Sequence, residues 1–355
     1  MNKVALITGI GGMDAKTLTH ILLNKGYTVI ATHRRNSLLD LEGTKALFKL
    51  NLELNPKAKL DFFVCDISDQ NSVKECIKDA LQKYGKIDEI YMLAAMSHVG
   101  NSFKMKELCV SVNGMSYYYF LEAIRELTKT TRVYGALTSE LAGNVKEDAT
   151  FTEQTIWNPK SPYAIGKALG GHWLKFYRES LDAGLFCCFG VLFNHSNTYR
   201  SKDFFIRKVT NMAARICHGK EKEIKLGNLD FYRDEHWSDF GCEMMWKMLQ
   251  QERPKDYVIA TGVTHHGEEY LDEAFKYFNL DWKKFVVLDK SLLRPNEVVR
   301  LVGDSDAATK DLGWNPRRMT FKEHIELLCE FDSDLEACGK SSSHVNYLAA
   351  YPNVS

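Results

Sequence analysis

The sequence has no surplus of charge of either sign. Lys plus Arg and Asp plus Glu number 46 each in 355 residues. That excludes a general basic field for nucleic acid or anionic lipid and leaves room only for a local cationic pocket. No apolar run approaches the length of a membrane span. The nine cysteines (Cys65, Cys76, Cys109, Cys187, Cys188, Cys217, Cys242, Cys329 and Cys338) contain no C-x-x-C pair. An odd, scattered set in a chain this long reads as reduced, mostly buried thiols of a cytoplasmic protein. None of the eleven histidines falls in an H-E-x-x-H spacing, and His265-His266 reads as a loop pair, so no metal site is expected. Internal repeats and low-complexity linkers are absent. A strand-like run begins at Lys3, which is expected to leave no room for a signal or transit peptide.

What is present is an ordinary globular composition, 45% hydrophobic and 26% charged, with a strong alternation of short apolar and longer amphipathic segments. Strands are expected at residues 4–8, 28–33, 60–65, 89–93, 132–137 and 185–192. Helices are expected near 16–25, 72–83, 104–127 and 163–181. That order predicts an α/β, doubly wound parallel sheet of Rossmann type, with ligands bound along the rim formed by the strands' C-terminal ends. Past residue 193 the alternation breaks. A helix is expected over 203–219, a strand at "EIKLGN", another over 256–262, and helices near 268–278, 305–312 and 321–331. The expected division is a dinucleotide-binding domain over 1–193, with 229–262 returning to it. A smaller C-terminal substrate-binding lobe takes 194–228 and 263–335, and 336–355 form a loosely ordered tail.

"GIGGMDA" follows the first strand and opens a helix. Gly9 suits the tight turn, Gly12 lets backbone N–H groups approach a pyrophosphate, and Ala15 keeps the third position small. Met13 and Asp14 lie within the same loop. At the end of the second strand, where a plain ribose hydroxyl is usually met by an acid, the chain has Arg34-Arg35. They lie 22 and 23 positions past Gly12. Two guanidinium groups suit a 2′-phosphate, which predicts NADP as cofactor. Asp66, with Ile67, follows the third strand and is placed to accept from an adenine amino group. Leu93, Ala94 and Ala95 end the fourth and leave space for the cofactor's backbone.

Tyr163 and Lys167 in "SPYAIGKALGG" are four apart on one helical face, and a lysine ammonium beside a phenol favours the phenolate a general base needs. Thr138 and Glu140 close the fifth strand and in extended chain project the same way. Thr138 can hydrogen-bond a substrate hydroxyl. Glu140 adds a second base, which simple dehydrogenation does not need but proton abstraction alpha to a carbonyl does.

Together "LITGIGGMD", "THRR", "LAAMSHV", "LTSELAG", "SPYAIGK", "GVLFNH", "MMWKMLQQE", "VIATGV" and "RPNEV" resemble the extended short-chain dehydrogenases/reductases, specifically the GDP-mannose 4,6-dehydratase family, from Lys3 to about Glu330. The resemblance implies a lyase acting on a GDP-sugar: oxidation at C4, deprotonation at C5 with loss of water from C6, and return of hydride to C6. It implies nucleotide-sugar contacts at Asn194, Lys208, Arg233, Arg294 and Glu297, with Ser97 and His98 near the sugar. It also implies a homodimer or homotetramer, the aromatic helix "SYYYFLEAI" packing into a dimer's four-helix bundle. Three stretches depart from the family pattern. "EHWSDFGCEMMW" stands where Trp-Gly-His-Ala usually follows Arg233-Asp234, the loop after the second strand lacks N-T-G-R, and "FNHSNTYRSKDFF" lacks a proline. These surround substrate and subunit contacts, which favours a changed sugar over a lost reaction. Alternatives are the same chemistry on a GDP-heptose, a 4-keto sugar-nucleotide reductase or epimerase, and a scaffold without turnover.

Overall fold

Six runs rich in Val, Ile and aromatic residues become the strands β1 (Val4–Ile7), β2 (Thr28–His33), β3 (Lys59–Val64), β4 (Glu89–Met92), β5 (Arg132–Thr138) and β6 (Cys187–Leu192) in the computed structural model. The structure describes residues 2–37, 39–143, 149–179, 184–293 and 295–338. A seventh strand, Tyr257–Ile259, completes a wholly parallel sheet. Its order is Tyr257–Ile259, β6, β5, β4, β1, β2, β3. Helices lie on both faces, so β1, β4 and β6 are buried throughout, while the edge strand β3 is mostly half-exposed. The strand order reverses between β1 and β4, and the crevice at their C-terminal ends is where such sheets bind ligands.

The pattern predicts one helix over 104–127, and the structure breaks it into Lys106–Val110, a π turn at Ser111–Met115, and Ser116–Leu127. Asn113 supplies the reason. Its carboxamide is buried and accepts from Met96 N at 2.8 Å while donating to Met96 O, holding the chain that leaves β4. A π turn re-aims one side chain without ending the helix. Gly114 also lets the Pro162–Glu179 helix come close: a Cβ there would sit 2.8 Å from Leu169 Cδ2. Besides the four-residue Val99–Ser102, three further α-helices among the described residues lie where the pattern assigns none. Leu41–Leu47 and Lys49–Leu54 connect β2 to β3, and Ser238–Met248 packs against the Met13–Asn24 helix.

After β6 the chain runs straight into Asn194–Ser196, which belongs to a second, small sheet. There Tyr232–Trp237 pairs in parallel with Asn194–Ser196 and Arg300–Leu301, and antiparallel with Thr264–His266. The register places Glu235 opposite Asn194. Ile224–Leu226 pairs separately with Val286–Leu288. The helices Phe205–Cys217 and Phe321–Cys338 are locked by a buried ion pair, Arg207 Nη2 to Asp332 Oδ1 at 2.6 Å. Residues 336–338 therefore belong to a helix rather than to a loosely ordered tail, and 339–355 lie outside the described residues.

Candidate active site

The glycine loop forms as the sequence requires. Gly9 takes φ +76°, and a Cβ on it would lie 2.8 Å from Ala94 Cβ, so only glycine fits between β1 and the end of β4. Gly12 is the N-cap of Met13–Asn24 and makes no side-chain cap, leaving the helix's first N–H groups directed at the exposed loop. Thr8 Oγ1 accepts from Leu93 N and Ala94 N, both at 2.9 Å, and so fixes the neighbouring wall of the crevice. Arg34 and Arg35 are exposed just beyond β2. Asp66 Oδ1 accepts from both Ser68 N and Ser68 Oγ, a turn that holds the carboxylate in place after β3, with Ile67 buried next to it.

A cleft of about 400 Å³ joins this crevice to the small sheet. Thr138, Glu140, Tyr163 and Lys167 line it together. Two expectations about them are corrected. Thr138 and Glu140 do not share an extended strand: the chain turns into a 3₁₀ segment at Ser139–Ala142, and Thr138 Oγ1 caps it by accepting from Glu140 N. Nor is the Tyr163 phenol held below its ordinary range. Withdrawal from water pushes Tyr163 up to about 12, against a hydrogen bond from Thr138, with Glu140 raising it further and Arg200 lowering it. Lys167 is buried, its Nζ donating to Ala136 O on β5 at 2.7 Å, and burial lowers it to about 8.

Of the expected substrate contacts, Ser97, His98, Asn194, Lys208, Arg233 and Glu297 all line the cleft. Arg233 and Glu297 form an ion pair at 3.1 Å, and the Arg233 guanidinium also donates to Tyr232 O and Val299 O. Lys208 Nζ donates to Lys225 O. His98 caps the short helix Val99–Ser102 by accepting from Asn101 N. Arg294 lies outside the described residues.

Several groups at the cleft floor carry no local sequence signal of their roles. Asp14, expected to serve the cofactor loop, reaches across to His195 Nε2 at 3.0 Å and accepts from Ser238 Oγ at 2.9 Å. Burial opposes its ionisation, but His195, Arg200 and Ser238 hold the carboxyl at about 2. The His195 ring stacks on His236 at 5.1 Å. Glu235 Oε1 accepts from Ser196 Oγ at 3.0 Å and Oε2 from Tyr270 OH at 3.3 Å. Arg200 enters from the loop beyond Asn194–Ser196, its guanidinium 3.5 Å from the centre of the Phe204 ring. The one usable hint was compositional, because Glu235 heads a stretch that breaks the pattern following Arg233-Asp234.

Glu235 gives a testable pH effect. Burial raises its carboxyl to about 7. The folded state therefore keeps a proton there that the unfolded chain releases near its ordinary pKa, and stability is lost as pH rises toward 7. Glu235→Gln cannot ionise. Its stability relative to the parent is expected to rise by about 2–3 kcal/mol between pH 5 and pH 8. Urea unfolding at the two pH values measures it; an unchanged difference would mean the carboxyl is ionised throughout.

Comparison with known proteins gives this geometry its family. Residues 6–328 match the family model described as GDP-mannose 4,6 dehydratase. The chain belongs to the GDP-mannose 4,6 dehydratase family. Its relatives in that family include GDP-mannose 4,6 dehydratase 2 of Arabidopsis thaliana, 37% identical over 98% of this chain and 91% of the plant protein. The Drosophila melanogaster enzyme is 37% identical over 94% and 87%, respectively. Among solved structures, a dTDP-glucose 4,6-dehydratase from Streptomyces venezuelae superposes with TM-score 0.78 at 20% identity, covering 94% of this chain and 98% of its own. A UDP-glucose 4-epimerase from Thermotoga maritima gives 0.77 at 19%, covering 94% and 99%. At that identity the likeness is one of fold, and it matches the parallel sheet and crevice described above.

Proposed function

We propose that this chain is an NADP-dependent GDP-mannose 4,6-dehydratase, converting GDP-mannose to GDP-4-keto-6-deoxymannose. The observation that carries the reading is the presence of two bases in one cleft, Tyr163 and Glu140, beside a dinucleotide loop. A reductase with the same Tyr–Lys pair has no use for the carboxylate.

The residues fit a dinucleotide. Gly9 and Gly12 keep side chains out of a cradle that a Cβ would fill, the uncapped helix N-terminus suits a pyrophosphate, and Lys167 and Tyr163 face the crevice at its nicotinamide end. A bound nicotinamide dinucleotide, held by the Gly9–Gly12 loop with Tyr163 and Lys167, would supply the hydride acceptor for C4 and the hydride donor for C6. The chain's own residues handle the protons. Tyr163 takes the C4 hydroxyl proton and, as a phenol, then donates to the ketone oxygen. Thr138 hydrogen-bonds Tyr163 and steadies the phenolate. The ketone acidifies C5–H; Glu140 removes that proton and passes it to the C6 hydroxyl, which departs as water, and the proton taken up by Tyr163 returns at C5 as C6 is reduced. Lys208, Arg233 and Glu297, with Arg294, are assigned to the nucleotide diphosphate and base, with Asn194, Ser97 and His98 nearer the sugar. Incubation with NADP and GDP-mannose, read by mass spectrometry, tests the whole reading. Loss of one water with no net NADPH is the expected result; an unchanged sugar nucleotide would sink the choice of substrate.

NADP rather than NAD rests on the exposed Arg34 and Arg35 beyond β2. Arg35→Asp is expected to weaken NADP binding at least about tenfold with little effect on NAD, since a charge-assisted contact is worth about 1.5–3 kcal/mol. Equal losses for the two, by calorimetric titration, would remove the role.

We assign the dinucleotide-binding domain to 1–193 together with the part of 229–262 that returns to it, the Ser238–Met248 helix and Tyr257–Ile259, whereas Tyr232–Trp237 joins the small sheet of the substrate lobe, 194–228 and 263–335. The assembly is a homodimer or a pair of such dimers. In support, Tyr118, Tyr119, Trp173 and Phe176 make a continuous ring cluster on the helices Ser116–Leu127 and Pro162–Glu179, with Phe176 58% exposed. Phe176→Asp is expected to yield monomers in analytical ultracentrifugation. The cysteines, all unpaired and mostly buried, suit a reducing cytoplasm. No described helix is long and apolar enough to cross a membrane.

A further inference from the structure

The chain that enters the small sheet after β6 is fastened to the Met13–Asn24 helix at every second residue. Asp14 accepts from His195 Nε2 at 3.0 Å, and Thr17 Oγ1 accepts from Asn197 Nδ2 at 2.8 Å. One step further, Tyr199 OH and His20 Nε2 lie 2.9 Å apart. Asn51 Oδ1 takes the proton on His20 Nδ1, so Nε2 is the acceptor and the Tyr199 hydroxyl the donor. Residues 14, 17 and 20 share one face of the helix. The first turn of Ser238–Met248 joins the same row of contacts. Ser238 Oγ donates to Asp14 at 2.9 Å, and Asn197 Nδ2 donates to Asp239 Oδ2 at 3.0 Å.

The row runs between the two halves of the cleft. Asp14 lies in the helix turn assigned to the pyrophosphate, while Asn194 and Arg200, at either end of 195–199, line the cleft from the substrate side. His195 is the rung nearest the cleft, and its surroundings fix its charge. Nδ1 lies 2.7 Å from Phe193 O, which can only accept, and Nε2 lies 3.0 Å from a carboxylate. A neutral ring would turn a lone pair on one of them, so both nitrogens carry protons. Burial opposes that charge, and Asp14 raises the ring's affinity for its proton above the ordinary value. The other titratable or charged groups near the ring are Arg200 from its own loop, Glu235 and His236 from Tyr232–Trp237, and His324 from Phe321–Cys338. His236 stacks on it at 5.1 Å and is kept neutral by burial, so the charge stays on His195.

We propose that Asp14 and His195, paired as carboxylate and imidazolium, are positioning residues that hold the cofactor half and the substrate half of the cleft in register. The proposal rests on the dehydratase reading above for its substrate. The pair takes no proton from the sugar. It sets how far the Met13–Asn24 helix stands from Asn194, and hence how closely the sugar's C4 approaches a nicotinamide held by that helix. Thr17–Asn197 and His20–Tyr199 support it from behind.

The test uses the NADP-loaded enzyme with Asp14→Asn, His195→Gln, the two combined, and Tyr199→Phe, which removes one hydroxyl from the farthest rung. Nitrogen-labelled histidine, with the His195 resonance identified by its loss in His195→Gln, reports at neutral pH how many protons the ring carries without substrate. Single-turnover oxidation of GDP-mannose at C4 gives a second reading, and the affinities for NADP and GDP a third. The parent is expected to show His195 doubly protonated. Each single variant of the pair should slow C4 oxidation by about ten- to a hundredfold, the effect of a misplacement of about 1 Å. NADP and GDP affinities should each change less than about threefold. The combined variant should be no slower than the worse single one, because the two residues make one contact, and Tyr199→Phe should slow oxidation less. A singly protonated His195 in the parent overturns the proposal, as does unchanged oxidation in Asp14→Asn or an additive loss in the combined variant. A loss of NADP affinity that accounts for the loss of rate also overturns it and leaves Asp14 a residue of the cofactor loop alone. If the parent fails to oxidise GDP-mannose, the substrate assignment falls, and crystal structures of the NADP-loaded parent and Asp14→Asn decide the role of the pair. A Gly12–Asn194 separation that shifts by about 0.5 Å or more upholds it, that being the tolerance of a productive site; a smaller shift overturns it.

Discussion

Glu140→Gln is expected to cut dehydration by about a hundred- to ten-thousand-fold, the usual worth of a positioned base, while oxidation at C4 continues. The carboxamide has nearly the shape of the carboxylate and keeps the backbone N–H that Thr138 caps, so the 3₁₀ turn at Ser139–Ala142 should persist. What is lost is the group able to accept a proton from C5. The carboxylate also pushes the Tyr163 phenol up, so its removal eases the first proton transfer rather than hindering it. Mixed with GDP-mannose, the variant should therefore show a stoichiometric rise of NADPH absorbance that does not decay, with a 4-keto hexose still carrying its C6 hydroxyl. Normal formation of the deoxy product would remove Glu140 from the mechanism.

The second large effect concerns Gly9. In Gly9→Ala the backbone would have to hold an L-residue at φ +76°, costing roughly 1–2 kcal/mol, and place a methyl 2.8 Å from Ala94 Cβ. Overpacking of that kind adds about 1–3 kcal/mol. A loss of about 2–5 kcal/mol in urea unfolding is the expected sum. The displacement falls on the loop whose N–H groups would meet the pyrophosphate, so dinucleotide binding should become undetectable by calorimetry. A variant that stays as stable as the parent and binds NADP would show that Gly9 does not need its left-handed conformation.

These two sites mark what the sequence makes legible. Gly9, Gly12, Thr138, Glu140, Tyr163 and Lys167 are each tied to the end of a strand or the start of a helix, and period and spacing place such residues well. The β2 bounds expected from the sequence are those observed, the other five strands expected before residue 193 differ by at most two residues at an end, and the strand expected over 256–262 stops three residues short, at Ile259. The π turn at Ser111–Met115 escapes because its cause, Asn113 reaching Met96, is a contact across the fold. Arg200 and Glu235 escape for the same reason: their neighbours come from three segments far apart in the chain. The direction in which Tyr163 shifts depends on burial and on which way Lys167 turns, and neither follows from an interval of four residues.

The seventh strand carries a consequence for how the protein is made. Tyr257–Ile259 pairs with β6, yet it is translated 65 residues after β6 ends at Leu192. At about 5–20 residues per second, a ribosome needs roughly 3–13 seconds to supply it. Throughout that interval an all-apolar strand, which includes Cys187, Cys188 and Phe189, has one bare edge, the kind of template that recruits neighbouring chains. Vulnerability to aggregation is thus concentrated in a brief period of synthesis and in any transcript or proteolytic fragment that stops short of Tyr257, where a host would be expected to station a chaperone.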